Sequence, residues 1–244
     1  MGKRMVDHHG VKMYLIFNVL FSCQRSSDSG EVFSEYNSIN YQLNFTNHRE
    51  QISVFKNNFG EIFQLDIGYV VPYSIRIYEC SSHVNILNYY LISNAYAGHS
   101  EFAIATDWGQ PQVQNILDPK NVQSFVQFPN QSLCELMLTF ARADSDTLNL
   151  PTAISMNNLS IYLKGTCEKD FELQDFEIFT AIPSEKLFDL SSKMPSHSED
   201  SLMVLIEMSF DSLFENISCG QSDSNVAGLQ ALTNILKSTT IEIR

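Results

Sequence analysis

Apolar and polar residues alternate along several windows of the chain, and this period of two constrains the fold more than any other feature of the sequence. Alternation of this kind is typical of strands with one buried face. The alternating apolar positions are Ile39, Tyr41, Leu43 and Phe45; Phe63, Leu65, Ile67 and Tyr69; Tyr73, Ile75 and Ile77; Cys134, Leu136, Leu138 and Phe140; and Leu159, Ile161 and Leu163. We expect Gly165 to end the last of these strands.

The remaining apolar segments complete the fold prediction. Phe171–Ile182 and Leu202–Met208 predict two further strands, and the closing residues 239–244 predict a last one. Helical spacing occurs over 224–237, at Val226, Leu229, Leu232, Ile235 and Leu236, and a shorter helix of one or two turns is predicted over 111–118. The fold class is therefore mainly β: an antiparallel β-sandwich, Ig-like or jelly-roll-like, with a short C-terminal helix.

The N-terminus has the features of an export signal. Lys3, Arg4 and Lys12 precede an apolar run over residues 13–22, which is too short to span a bilayer but fits a signal-peptide core. The run ends in Leu-Phe-Ser-Cys, which resembles a bacterial lipobox and predicts a lipid anchor on Cys23. The alternative is an ordinary cleaved signal peptide whose core contains Cys23.

These features divide the chain into three predicted parts. Residues 1–22 are a lipoprotein-type signal peptide, 23–36 a polar flexible tether, and 37–244 a single β-sandwich domain. The predicted location is the bacterial cell envelope, with the domain lipid-anchored and facing the periplasm or the cell exterior.

Four cysteines remain after Cys23, an even number that suits two disulfides in an exported chain. Three pairings are open. We expect Cys80 to pair with Cys134, because the first closes a predicted strand and the second opens another, and Cys167 to pair with Cys219.

The charge limits the partners of the domain. The formal net charge is −13, and removal of the signal peptide makes it more negative. Such a surface repels phosphate backbones, which argues against nucleic-acid binding and leaves cationic partners or metal ions open.

Several phrases resemble a known family, the MbnP-like periplasmic copper-binding proteins. They are Asn57–Gly60 (NNFG), Val71–Tyr78 (VPYSIRIY), Leu87–Ile92 (LNYYLI) and Val204–Phe214, followed by a helix carrying Asn234. Leu133–Asp144, Met156–Gly165 and Ala95–Ser100 are similar to related uncharacterised lipoproteins of myxobacteria and other predatory or gliding bacteria. The resemblance implies a periplasmic β domain, copper as a possible ligand, and a di-haem peroxidase-like partner.

Histidines are the first residues to consider for such a metal. The predicted domain has four, at positions 48, 83, 99 and 197, with no H-x-H or H-x-x-x-H pair. His83 and His99 both lie in predicted loops where strand ends can bring them together, so they are the candidate copper ligands. The alternative is four independent surface histidines.

Other candidate sites are weaker. Trp108, the single tryptophan, is a possible redox or partner-contact residue, or an anchor wedged into its loop. Glu199–Asp200 and the pair Asp144 and Asp146 are carboxylate pairs in polar loops, where they read as solvated charges; the second pair leaves calcium open. The sequence contains no G-x-S-x-G, H-E-x-x-H or glycine-rich nucleotide motif, so we do not expect an enzyme.

Two functions follow as hypotheses. The favoured one is a cell-envelope lipoprotein that acts as a non-catalytic binding or interaction module. The alternative is an MbnP-like periplasmic copper-binding protein that works with a di-haem partner.

Overall fold

The computed structural model describes residues 36–46, 51–79, 107–108, 111–129, 133–191 and 201–244. Within them, thirteen strands and one helix follow in chain order: β1 (Tyr36–Thr46), β2 (Val54–Lys56), β3 (Ile62–Val70), β4 (Pro72–Glu79), β5 (Asp107–Trp108), β6 (Gln114–Asn115), β7 (Val122–Pro129), β8 (Leu133–Phe140), β9 (Ile161–Lys169), β10 (Glu172–Thr180), β11 (Ser184–Asp189), β12 (Ser201–Ser209), α1 (Ser224–Ser238) and β13 (Thr240–Ile243). The prediction of a mainly β fold with a C-terminal helix is confirmed.

The strands form three sheets. Their orders are β13-β12-β1-β7, β10-β9-β3-β2 and β11-β8-β4-β5, with β6 added beside β3. Among the described strands every ladder is antiparallel except β1 with β12, which run parallel. Leu43, Phe63 and Leu138 come from the three sheets and meet in one hydrophobic core, as in a β-sandwich.

The prediction for β3 is right before its middle and wrong after it. Phe63 and Leu65 are buried in the main core, as the alternation predicts. A β-bulge between Leu65 and Ile67 then reverses the two faces, so that Gly68 and Val70 are buried instead. Ile67 and Tyr69 pack against a second, smaller cluster on the other side of the sheet.

The same bulge explains why Gly165 does not end a strand. β9 continues through it to Lys169, contrary to the prediction. A Cβ atom at Gly165 would lie 2.0 Å from the backbone oxygen of Gln64, so the bulged strand approaches closely enough to leave no room for a side chain.

The prediction of a helix over 111–118 is wrong. Gln114 and Asn115 form β6, which pairs with Val70 and Tyr69 of β3. Val113 and Ile116, which are three residues apart as on a helix face, pack instead into two different clusters, Val113 just before β6 and Ile116 in the turn just after it.

The C-terminal helix is predicted correctly over most of its length. Asp223 caps its N-terminus, and its Oδ1 accepts hydrogen bonds from the backbone of Asn225 and Val226 at 3.0 and 3.1 Å. The helix packs mainly on β10, where a Cβ at Gly228 would lie 2.9 Å from the Phe179 backbone. Val226 is exposed, contrary to the prediction, whereas Leu232, Ile235 and Leu236 are buried as predicted, together with Ala227 and Ala231. Among the described residues, no helical segment has the length and hydropathy that a bilayer span requires.

Candidate functional site

Half of the site residues predicted from the sequence lie outside the described residues. These are Cys23, Cys80, His83, His99, Glu199 and Asp200. Lipid attachment and copper binding by the two histidines therefore remain predictions. In the part of the chain that is described, no three His, Cys, Asp or Glu side chains come together as a metal site would require.

The structure describes two of the other candidates, Trp108 and Asp144, at least in part. The backbone of Trp108 pairs with Ile75 at the edge of the third sheet, and its side chain lies outside the description, so its role stays a prediction. Asp144 is committed to a turn: its Oδ1 accepts hydrogen bonds from the Asp146 backbone at 3.1 Å and from Thr147 Oγ1 at 2.9 Å.

One predicted disulfide is confirmed. Cys167 of β9 is bonded to Cys219, and both residues are buried. Cys134 is also disulfide-bonded, but its predicted partner Cys80 is not among the described residues. The Cys167–Cys219 bond ties the segment before the helix to the β10-β9-β3-β2 sheet.

Beside this disulfide lies a buried carboxylate, that of Glu61, whose side chain is 8% exposed. Its Oε2 accepts hydrogen bonds from the backbone of Cys219 and from Asn57 Nδ2, both at 2.8 Å. Its Oε1 lies 3.1 Å from Lys169 Nζ and accepts a hydrogen bond from Ser218 Oγ at 3.3 Å. Burial alone would raise the pKa of Glu61, but these hydrogen bonds and the lysine charge outweigh it and hold the pKa below its ordinary value.

Asn57 organises the turn that leads to Glu61. Its Oδ1 accepts from the backbone of Phe59 and Glu61, and its Nδ2 also donates to the Ile217 carbonyl at 2.8 Å. The turn needs a glycine at Gly60, where φ is +84°. Phe59 is thereby left at the surface with most of its side chain exposed.

The helix supports this arrangement from the other side. Asn234, buried in α1, donates to the carbonyls of Leu213 and Glu215 at 3.2 and 2.7 Å. It fixes the segment whose later residues, Ile217 and Cys219, contact Asn57 and Glu61. The turn and the segment are therefore held by buried hydrogen bonds and by a disulfide.

A β-hairpin projects next to this platform. β9 and β10 are joined by a two-residue loop, Asp170 and Phe171, with φ angles of +52° and +67°. Positive φ at both positions is the type I′ pattern, which normally places glycine second. Here that position carries Phe171, whose side chain is 97% exposed.

The turn and the hairpin enclose a surface groove of about 580 Å³, which we call the aromatic groove. It is lined by Phe59, Gly60, Glu61, Ile62, Glu168, Lys169, Asp170, Phe171 and Ser218. Phe59, Ile62 and Phe171 expose apolar surface on its walls, and Leu173 exposes more on the same hairpin. Contiguous exposed apolar surface with a polar rim is typical of interaction sites.

The sequence prediction missed Phe171 as a surface residue. Phe171–Ile182 reads as one apolar strand segment, and the absence of glycine or asparagine after Asp170 hides the turn. The Asn-Asn-Phe-Gly phrase at 57–60 is a turn signal that does point to the groove, since it places an aromatic residue beside a glycine.

Comparison of the chain with protein-family models, with curated proteins and with solved structures finds no match. The resemblance to MbnP-like proteins and to the myxobacterial lipoproteins therefore stays a prediction.

Proposed function

We propose that this protein is a non-catalytic interaction module of the cell envelope that binds a partner protein through the aromatic groove. The observation that carries the proposal is the position of Phe171: a large apolar side chain almost fully in solvent, on a backbone conformation that glycine adopts more easily.

The backbone conformation of Phe171 costs free energy that the folded chain does not recover. A left-handed conformation costs a non-glycine residue about 1–2 kcal/mol, and bulky residues adopt it rarely. In the folded protein the Phe171 side chain gains almost no burial in return. The cost is offset if the phenylalanine inserts into a pocket on another protein, where full burial is worth about 1.5–3 kcal/mol.

The groove is also held in place before binding. The Cys167–Cys219 disulfide and the Glu61 hydrogen bonds fix its floor. Little conformational freedom is then lost when a partner docks, which favours affinity.

Charge indicates the kind of partner. Glu168, Asp170 and Glu172 surround the tip of the hairpin, and Lys169 is paired with Glu61. A surface with these charges repels anionic lipid and nucleic acid. It complements an apolar pocket rimmed by Lys or Arg, so we take the partner to be a protein of that chemistry. The envelope location within this proposal rests on the sequence of residues 1–23.

Site-specific photo-crosslinking in living cells tests the proposal. A benzophenone amino acid replaces Phe171 in one variant and Ile182 in the control. Ile182 is also an exposed apolar residue, beyond the opposite end of β10. We expect a discrete cross-linked protein at position 171 and none at 182. The absence of an adduct at 171, or the same adducts at both positions, would overturn the proposal.

A further inference from the structure

A second concave site, separate from the aromatic groove, is formed by residues 112–122, which include β6 paired beside the end of β3, together with Tyr69 and Asn149. It is a cleft of about 430 Å³, which we call the amide cleft. This volume lies in the usual range of small-molecule sites, roughly 300–1,000 Å³. Its lining includes the side chains of Tyr69, Gln112, Gln114, Asp118, Lys120 and Asn149.

The backbone that carries these side chains is fixed on both sides. Gln114 and Asn115 pair with β3, and the backbone of Ile116 donates to the Gly68 carbonyl at 2.8 Å. On the other side the backbone of Val113 donates to the Leu148 carbonyl at 2.9 Å. The cleft is thus built from paired backbone and has a defined shape.

Two buried amides face this cleft with unused hydrogen-bonding groups. Gln112 is 7% exposed and Gln114 3%. Gln114 Oε1 accepts a hydrogen bond from the Lys120 backbone at 3.2 Å, but its Nε2, like the whole Gln112 amide, has no partner among the described residues. Among the described residues, Ser160 Oγ is the one fully enclosed side-chain nitrogen or oxygen atom without a hydrogen-bond partner. The free amide atoms of Gln112 and Gln114 are therefore not enclosed, and they open into the cleft that both residues line.

The unused groups define a ligand. Because they open into the cleft, water solvates them in the free protein, and a ligand must supply matching donors and acceptors to replace that water without loss. A glutamine amide offers a donor and an acceptor side by side, which suits adjacent hydroxyl groups. Asn149 adds a third amide, and the partly exposed ring of Tyr69 adds an apolar face.

Charge and polarity argue against two other ligand classes, anions and mostly apolar molecules. Asp118 and Lys120 contribute one charge of each sign, so the cleft has no excess charge for an anion such as phosphate. A mostly apolar ligand would leave the amides unpaired. We infer that the amide cleft binds a neutral saccharide, whose hydroxyl groups pair with Gln112 and Gln114 and whose apolar face packs on Tyr69.

Backbone-amide NMR titration of the full chain tests this inference. The probes are glucose, galactose, mannose and N-acetylglucosamine, with inorganic phosphate as the ion control. We expect at least one sugar to shift the amide signals of residues 69 and 112–121, with a Kd of about 1 mM or tighter, and phosphate to leave them unchanged.

Variants then locate the site. Gln112→Leu keeps the size of the side chain and removes its polar atoms, and we expect the affinity to fall at least tenfold. Asn149→Gly keeps the left-handed backbone of that residue, at φ +59°, and should weaken binding as well if Gln112→Leu does not fold. The matched control is Gln51→Leu at an exposed glutamine outside the cleft, which should bind as the wild type does. The inference is overturned if none of the four sugars binds, if the shifts map to the aromatic groove, or if the Gln112 and Gln51 variants behave alike.

Discussion

Replacing Glu61 by glutamine probes the buried hydrogen-bond network that holds the floor of the aromatic groove. In the wild type each carboxylate oxygen has two partners, Cys219 and Asn57 on one side and Lys169 and Ser218 on the other. A glutamine has one oxygen and an NH2 group. We expect its oxygen to face the two buried donors, because Lys169 is partly exposed and can turn to water.

The expected loss is about 2 kcal/mol in the free energy of unfolding at pH 7. Two hydrogen bonds to a charged acceptor, each worth roughly 1.5–3 kcal/mol, become bonds to a neutral one, each worth roughly 0.5–1.5 kcal/mol. Loss of the ion pair adds at most about 1 kcal/mol, because one partner is solvated.

The effect depends on pH with a defined sign. Because the pKa of Glu61 is lower in the folded state than its ordinary 4.5, its contribution is complete above the unfolded pKa and is lost as the pH falls through the folded pKa. The difference between wild type and Glu61→Gln should therefore begin to shrink as the pH falls below about 4.5, and should vanish only below the folded pKa, where the wild-type side chain is neutral in both states.

Urea denaturation at pH 7 and in acid measures both quantities. The control is Glu168→Gln, at an exposed residue of the same strand as Lys169 whose carboxylate accepts no hydrogen bond from the described residues; this variant should stay within about 0.5 kcal/mol of wild type. Equal losses in the two variants at pH 7, or a Glu61→Gln loss that does not change in acid, would refute the role given to this carboxylate.

Three further variants test the framework of the β10-β9-β3-β2 sheet and the turn before it. Replacing Cys167 and Cys219 together by alanine should lower the free energy of unfolding by up to about 4 kcal/mol on the chain-entropy model, since the bond closes a loop of 52 residues; a loss under about 1 kcal/mol in urea melts would contradict it. Gly165→Ala should destabilise by several kcal/mol because its Cβ would overlap the Gln64 backbone, whereas Gly60→Ala, with open space but φ +84°, should cost only about 1–2 kcal/mol; thermal melts that rank the two in the opposite order would show that the close approach at the bulge is misplaced.

The sequence predicts the regular strands well because their burial follows the period of two. In β4 and β8, Ile75, Ile77, Leu136 and Leu138 are all buried, as expected. The pattern fails where the register changes. The bulge after Leu65 adds one residue to one strand, and no local signal besides Asp66 in an apolar run marks it. On the partner strand, Gly165 lies opposite the bulge and marks it, but a single glycine in a strand pattern also predicts the end of a strand.

The candidate site was less accessible to sequence reasoning. Glu61 and Cys219 are 158 residues apart in sequence and meet only in the folded chain. The amide cleft depends on the short strand β6 and the turn that follows it, whereas the spacing of Val113 and Ile116 favours a helix over 111–118. Phe171 is an apolar residue that faces solvent, which no periodicity predicts.

The most direct test of the proposed interaction is calorimetric titration with the purified protein that cross-links at position 171. Wild-type chain and Phe171→Gly are compared, with Ile182→Gly as the control. Loss of the ring should weaken binding at least tenfold, or about 1.4 kcal/mol, while the stability of the variant stays within about 1 kcal/mol of wild type, because glycine relieves the backbone strain and little burial is lost. Equal affinity of the wild type and Phe171→Gly would contradict the proposal that the aromatic groove is the binding surface.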